Sequence, residues 1–177
     1  MPNAVPVIQF SRCSNRTSLS SSPFVHEEGD LASLHFEIES LQSLMDKNLP
    51  DQLILSYTKM IMGFLLFNEH PEHIGMIGLG GGSLPKYCYR HLPRTRISIA
   101  EIYSEVIAFR SFFQVPEDND RFTVFLEDGA EFVRKQPGAF DVLVVDGFDM
   151  RGQPPNCAAR PSIKTVMTRS LRMASWL

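Results

Sequence analysis

The sequence is poor in the features that build membrane, metal and disulfide proteins. Its three cysteines, Cys13, Cys88 and Cys157, are scattered, odd in number and without a C-x-x-C pair, which argues against both a disulfide framework and a zinc site. The five histidines, His26, His35, His70, His73 and His91, show no H-E-x-x-H spacing, so no metal is expected. The longest apolar run, Met60 to Phe67, is interrupted by Gly63 and falls far short of the roughly 20 residues that span a bilayer. A net charge of −3 leaves no footprint for nucleic acid. A reducing cytoplasm suits this cysteine usage.

What remains is ordinary globular composition. The chain has 177 residues, 44% hydrophobic and 21% charged, enough for one domain with a sizeable core and too little for two. Residues 1–22 carry Arg12, Arg16, many serines and no acid. Pro2 and Pro6 prevent an amphipathic helix there, and no apolar core or cleavage site marks a secretory signal, so a disordered leader is expected.

The chain is organised around H-I-G-M-I-G-L-G-G-G-S, residues 73–83. Ile74, Met76 and Ile77 read as a buried strand, and Gly78, Gly80, Gly81 and Gly82 permit a turn too tight for side chains. A helix with apolar spacing follows from Leu84 to Leu92. Strand, glycine turn and helix form the ligand-binding corner of a doubly wound α/β domain. The spacing G-x-G-x-x-S puts Ser83 where the dinucleotide fingerprint has its third glycine.

Around this corner the sequence predicts a regular series. Phe24 to His26 and Leu31 to Glu37 suggest two strands joined by a turn at Gly29, while Ile38 to Met45 fits a third strand or a helix equally well. A helix is expected to open at Pro50 and Asp51 and to end before Pro71, with Leu53, Ile54, Tyr57, Met60, Ile61, Phe64 and Leu65 on its apolar face. After the glycine turn come a strand Ile97 to Ile102, a helix Glu105 to Phe113 capped by Ser104, a strand Phe122 to Leu126, a helix Ala130 to Gln136, and a strand Phe140 to Val145. The expected units are a small β unit over 23–49 and a Rossmann-like domain over 50–155.

Four successive strands thus end, at one edge, in the glycine turn, in Glu101, in Asp128, and in Asp146 with Asp149. Any one such aspartate is as readily a helix cap or a turn residue. Their recurrence points to a single crevice, because open α/β sheets bind ligands at these carboxyl ends. An acidic crevice repels a pyrophosphate and stabilises a cation. Glu101, roughly 20 residues past the glycines, is placed to accept from ribose hydroxyls. An adenosyl sulfonium such as S-adenosylmethionine or its decarboxylated form therefore suits the crevice better than a dinucleotide.

The runs G-L-G-G-G-S-L-P-K, A-E-I-Y-S-E-V, L-E-D-G-A-E-F-V and F-D-V-L-V-V-D-G-F-D, in this order and spacing, resemble the spermidine synthase family of polyamine aminopropyltransferases, in its bacterial spermidine synthase-like branch. The similarity covers about Phe24 to Pro155. It implies a methyltransferase-type doubly wound sheet preceded by a small antiparallel β unit. The implied reaction moves an aminopropyl group from decarboxylated S-adenosylmethionine, a co-substrate and not a tightly bound cofactor, to an amine such as putrescine.

Position by position, the resemblance implies that Gly78, Gly80 and Gly82 cradle the donor and Glu101 takes its ribose. Asp128 and Gly129 would lie on the adenine side, and Asp146 would deprotonate the attacking amine. Asp149, Tyr57 and Gln42 would bind that amine. A homodimer is a further implication, although no interface is legible. The chain departs from the family pattern at Ser83 and Tyr103, each in place of an acid, and in G-F-D after Val145 where S-S-D is usual. Each lost carboxylate removes a charged contact worth roughly 1 to 3 kcal/mol from an amine site.

Two other readings stand beside this one: a methyltransferase-like protein using S-adenosylmethionine, and a truncated remnant that binds nucleoside without turnover. Beyond Pro155 the family pattern is lost. Residues 156–177 are expected to be an atypical tail and the last strands of the sheet to be missing. Back-translation with chosen codons in a shifted frame gives a run like the family's next helix and strand, so the tail is read as the product of a frame change, which resequencing the gene would test.

Overall fold

The computed structural model describes residues 22–37 and 40–146. Three antiparallel strands come first, β1 (Phe24–Glu28), β2 (Leu31–Glu37) and β3 (Ser40–Asp46), in the order β1-β2-β3. Gly29 turns the first hairpin with φ of 59°. Strand β2 buries Ala32, Leu34 and Phe36 on the face against the core, and Ser33 between the first two is buried as well. The stretch that periodicity left open between strand and helix is a strand. Pairing with β2 from Leu31↔Asp46 to Glu37↔Ser40 decides it, with a bulge around His35.

The segment after β3 departs from the expected long helix. Helix α1 spans only Ser56–Ile61 and tightens into a 3-10 turn at Met62–Leu66. No side chain caps its start, and Leu53 is buried in non-helical chain ahead of it. Gly63 lies inside the apolar run and weakens helix there. The apolar spacing is satisfied partly by packing of non-helical backbone.

Four parallel strands follow, β4 (His73–Ile77), β5 (Arg96–Glu101), β6 (Phe122–Leu126) and β7 (Val142–Val145), interleaved with α2 (Ser83–His91), α3 (Ser104–Ala108) and α4 (Gly129–Lys135). The sheet order is β6-β5-β4-β7. The chain therefore steps outward from β4 to β6 and then returns to the other side of β4, which makes the end of β4 a topological switch point. β4 and β7 are buried along their whole length, the signature of strands covered on both faces. On one face Ile74, Met76, Ile97 and Ile99 join residues of the antiparallel sheet, α2 and α3 in one core. On the other, Ile77, Ala100, Leu143 and Val145 pack with Phe132 and Val133 of α4.

Helix α3 is shorter than the Glu105 to Phe113 expected. Ser104 is its first helical residue, Tyr103 holds the cap position, and Ser104 Oγ bonds Glu105 instead of capping. Turns carry the chain on from Phe109, with Gln114 at φ of 54° and Phe113 and Val115 buried. At the amino end of β4 the buried His73 ring contacts Ser98 Oγ and the Ala139 carbonyl, each at 2.8 Å. Among the described residues no helix is long and apolar enough to cross a membrane.

Candidate functional site

The glycine turn is shaped by close approach as much as by dihedral angle. Gly78, Gly80 and Gly82 have φ of 95°, 53° and 71°, a region that side chains disfavour. A Cβ at Gly82 would sit 2.3 Å from Val115 Cγ2, and one at Gly81 2.6 Å from Ser43 Oγ. The turn is thus wedged between the antiparallel sheet and the stretch after α3. Gly78 N–H donates to the Ala100 carbonyl at 2.8 Å, which aligns the turn with the end of β5.

Glu101 sits at that end and is buried, 6% exposed. One carboxylate oxygen accepts from Leu79 N–H at 2.8 Å and the other from Tyr103 N–H at 2.9 Å. It ties the glycine turn to the start of α3, and each oxygen keeps a second lone pair for a ligand hydroxyl. Glu127 N–H donates to the Glu101 carbonyl at 2.9 Å and brings the end of β6 alongside.

Asp128 caps α4, its Oδ1 accepting from Ala130 and Glu131 N–H at 3.0 and 3.1 Å. The helix-cap role open to such an aspartate is therefore filled here. Gly129 follows because a Cβ there would meet Ile77 Cγ2 at 2.4 Å. On the other side of β4, Asp146 N–H donates to the Ile77 carbonyl at 2.9 Å. The turn, Glu101, Asp128 and Asp146 therefore occupy the carboxyl ends of adjacent strands, joined by backbone hydrogen bonds.

Asp146 has altered proton affinity. Burial pushes its carboxyl up to about 7, opposed by a hydrogen bond from the Tyr57 hydroxyl. The same hydroxyl lies 3.4 Å from the Gln42 carbonyl. Helix α1, strand β3 and the end of β7 thus bring three of the predicted residues together. A carboxylate with this proton affinity is able to take a proton from a bound group near neutral pH. Asp149 lies outside the described residues. Cys88 is buried and its thiol pushed up to about 12, so it offers no thiolate nucleophile.

Three residues to which no motif gives a role, Ser43, Phe36 and Lys86, also lie around the site. Ser43 Oγ lies 3.3 Å from Ser83 Oγ, Phe36 and Tyr103 pack ring to ring at 5.1 Å, and Lys86 is buried behind the turn. A period of two linking Ser43 to Met45, and the place of Lys86 between Leu84 and Cys88, were the signals available.

With this geometry in view, residues 54–169 match the model of the spermine/spermidine synthase domain. The chain belongs to the spermine/spermidine synthase family. The match extends past Pro155, where the sequence reading lost the family pattern. A polyamine aminopropyltransferase of Chromobacterium violaceum is 45% identical over 126 residues, which are 71% of this chain and 48% of that protein. The chain spans about half the length of such relatives. Among solved structures, a spermidine synthase in complex with the transition-state analogue AdoDATO superposes with a TM-score of 0.63 at 20% identity, over 88% of this chain and 52% of the other. Human methyltransferase-like protein 13 in complex with SAH gives 0.57 at 23% identity, over 66% and 62%. The synthase family fold, a methyltransferase-type parallel sheet behind an antiparallel one, is the fold seen here.

Proposed function

We propose that this chain carries the adenosyl site and proton acceptor of an aminopropyltransferase, with decarboxylated S-adenosylmethionine as donor and a polyamine such as putrescine as acceptor. The observation that carries the reading is Asp146, its carboxyl raised to about 7 and hydrogen-bonded by Tyr57, at the strand end beside the glycine turn. An alkylamine, with a pKa near 10.4, is protonated at neutral pH and cannot attack. Asp146 takes its proton, the freed nitrogen forms a bond to the aminopropyl carbon on sulfur, and that C–S bond breaks. The electron pair stays on sulfur, turning the sulfonium into the neutral thioether methylthioadenosine.

The other residues position the two partners for this in-line transfer. Glu101 accepts from the ribose hydroxyls, Asp128 and Gly129 border the base, and Gly78, Gly80 and Gly82 let the donor lie against backbone. Tyr57, Gln42 and Asp149 receive the amine. Calorimetry with methylthioadenosine, S-adenosylmethionine and its decarboxylated form, followed by a putrescine assay, tests the reading. Binding of the decarboxylated donor with formation of methylthioadenosine and spermidine is expected. Preference for the intact methionine donor with methyl transfer would replace it by a methyltransferase role, and nucleoside binding without turnover would reduce it to a binding remnant.

A further inference from the structure

Lys86 presents an unusual arrangement one turn into α2. The residue is 4% exposed, yet no carboxylate among the described residues lies within ion-pair distance of it. Its Nζ donates to the Phe113 carbonyl at 2.7 Å and lies 3.1 Å from Met45 Sδ. Burial pulls its ammonium down to about 8, with Asp51 acting weakly in the opposite sense. A lysine buried in this way costs free energy that an apolar side chain of similar length would not.

The surroundings indicate what that cost secures. Val115 presses on Gly82 and Ser43 on Gly81 so closely that no Cβ fits, and Phe113 Cδ1 lies 3.1 Å from the Cβ position of Gly81. Met45 stands two residues from Ser43, which touches the same turn and lies 3.3 Å from Ser83 Oγ. Ser83 and Lys86, three residues apart, lie on one face of α2. Strand β3, the stretch after α3 and the glycine turn therefore meet at one cation. β3 also carries the Gln42 carbonyl beside Tyr57, whose hydroxyl bonds Asp146.

We infer that Lys86 is a positioning residue that clamps β3 and the Phe109–Val115 stretch onto the glycine turn, and thereby fixes the adenosyl crevice in its ligand-ready shape. The inference rests on the adenosyl-site reading given above and adds to it a residue that touches neither donor nor acceptor. The clamp contributes to ligand affinity and not to net stability. This sets Lys86 apart from a core side chain, whose loss lowers stability first.

The test is Lys86→Met in the full chain, which keeps length and packing beside Met45 and deletes the donor. The melting temperature is expected to stay equal or rise, while methylthioadenosine affinity falls about tenfold, the scale of one charged hydrogen bond. Amide exchange in 78–83 and 109–115 should accelerate in the variant even without ligand. Unchanged affinity and unchanged exchange would overturn the clamp. If the unsubstituted chain binds no methylthioadenosine, the adenosyl reading fails by itself, and exchange alone still reports whether Lys86 joins the two stretches. Should Lys86→Met not fold, the unsubstituted protein carries the test. Methylthioadenosine is then expected to slow exchange in both stretches, and protection confined to 78–83 would overturn the inference.

Discussion

The hydroxyl of Tyr57 bridges two parts of the molecule, donating to the Asp146 carboxylate at the end of β7 while lying 3.4 Å from the Gln42 carbonyl on β3. The Asp146 carboxyl is thus held by a residue from outside the parallel sheet. Burial raises its proton affinity and the Tyr57 hydroxyl lowers it.

For the proposed proton acceptor, removal of the Asp146 carboxyl is the most direct experiment. Asp146→Asn keeps shape and loses the base, so turnover should vanish while methylthioadenosine affinity stays within about tenfold. Steady-state rates and calorimetry on the same preparation separate the two effects. Equal loss of both would show Asp146 to be a determinant of the nucleoside site.

Tyr57→Phe acts on the same carboxylate through its hydrogen bond. The hydroxyl holds the Asp146 pKa down against burial, so its loss moves the acidic limb of the kcat/KM profile to higher pH. At pH 7 the rate should fall roughly tenfold, as for one hydrogen bond to a charged group, and recover at more alkaline pH. A uniform loss at every pH would contradict the coupling.

His73 contributes to stability on the acid side. Burial and the neighbouring Arg96 guanidinium lower its pKa from 6.5, so the unfolded chain binds the proton more readily. Its contribution is complete above 6.5 and is lost as pH falls through that value toward the folded-state pKa. Asp146 has the opposite slope: its pKa is raised from 3.8 to about 7, the folded state holds the extra proton, and stability falls as pH rises across that window. Thermal melts from pH 5 to 7 should therefore rise more steeply with pH in Asp146→Asn than in the parent chain. An identical slope would rule out the Asp146 shift.

The wedge under the glycine turn is testable through Gly82→Ala. The added methyl meets Val115 Cγ2 at 2.3 Å and adopts φ of 71°. Together these should cost roughly 2 to 4 kcal/mol in denaturant melts, from overpacking and from left-handed backbone. Val115→Ala in the same chain should recover the overpacking share and leave the backbone share. Full additivity of the two substitutions would show that the residues do not press on each other.

Much of the parallel sheet was legible because its strands are covered on both faces. Ile74, Met76, Ile97, Ile99 and Val142 to Val145 leave continuous apolar runs that few other structures produce. The glycine turn was legible because left-handed backbone and close approach demand residues without a Cβ. Short-range patterning also exposed the acids at the strand ends.

Burial and backbone sterics act on each residue locally, so the alternation of acids and glycines with buried strands was readable from the residues alone. Long-range packing settles that residues 40–46 pair with β2 instead of coiling into a helix, and that the helix after Pro50 begins at Ser56. Asp128 Oδ1 caps α4, and the same long-range packing brings Asp146 to Tyr57. These outcomes depend on partners distant in the chain: a proton affinity is set by whatever excludes water from a carboxylate and donates to it, and neither is written in the neighbouring residues.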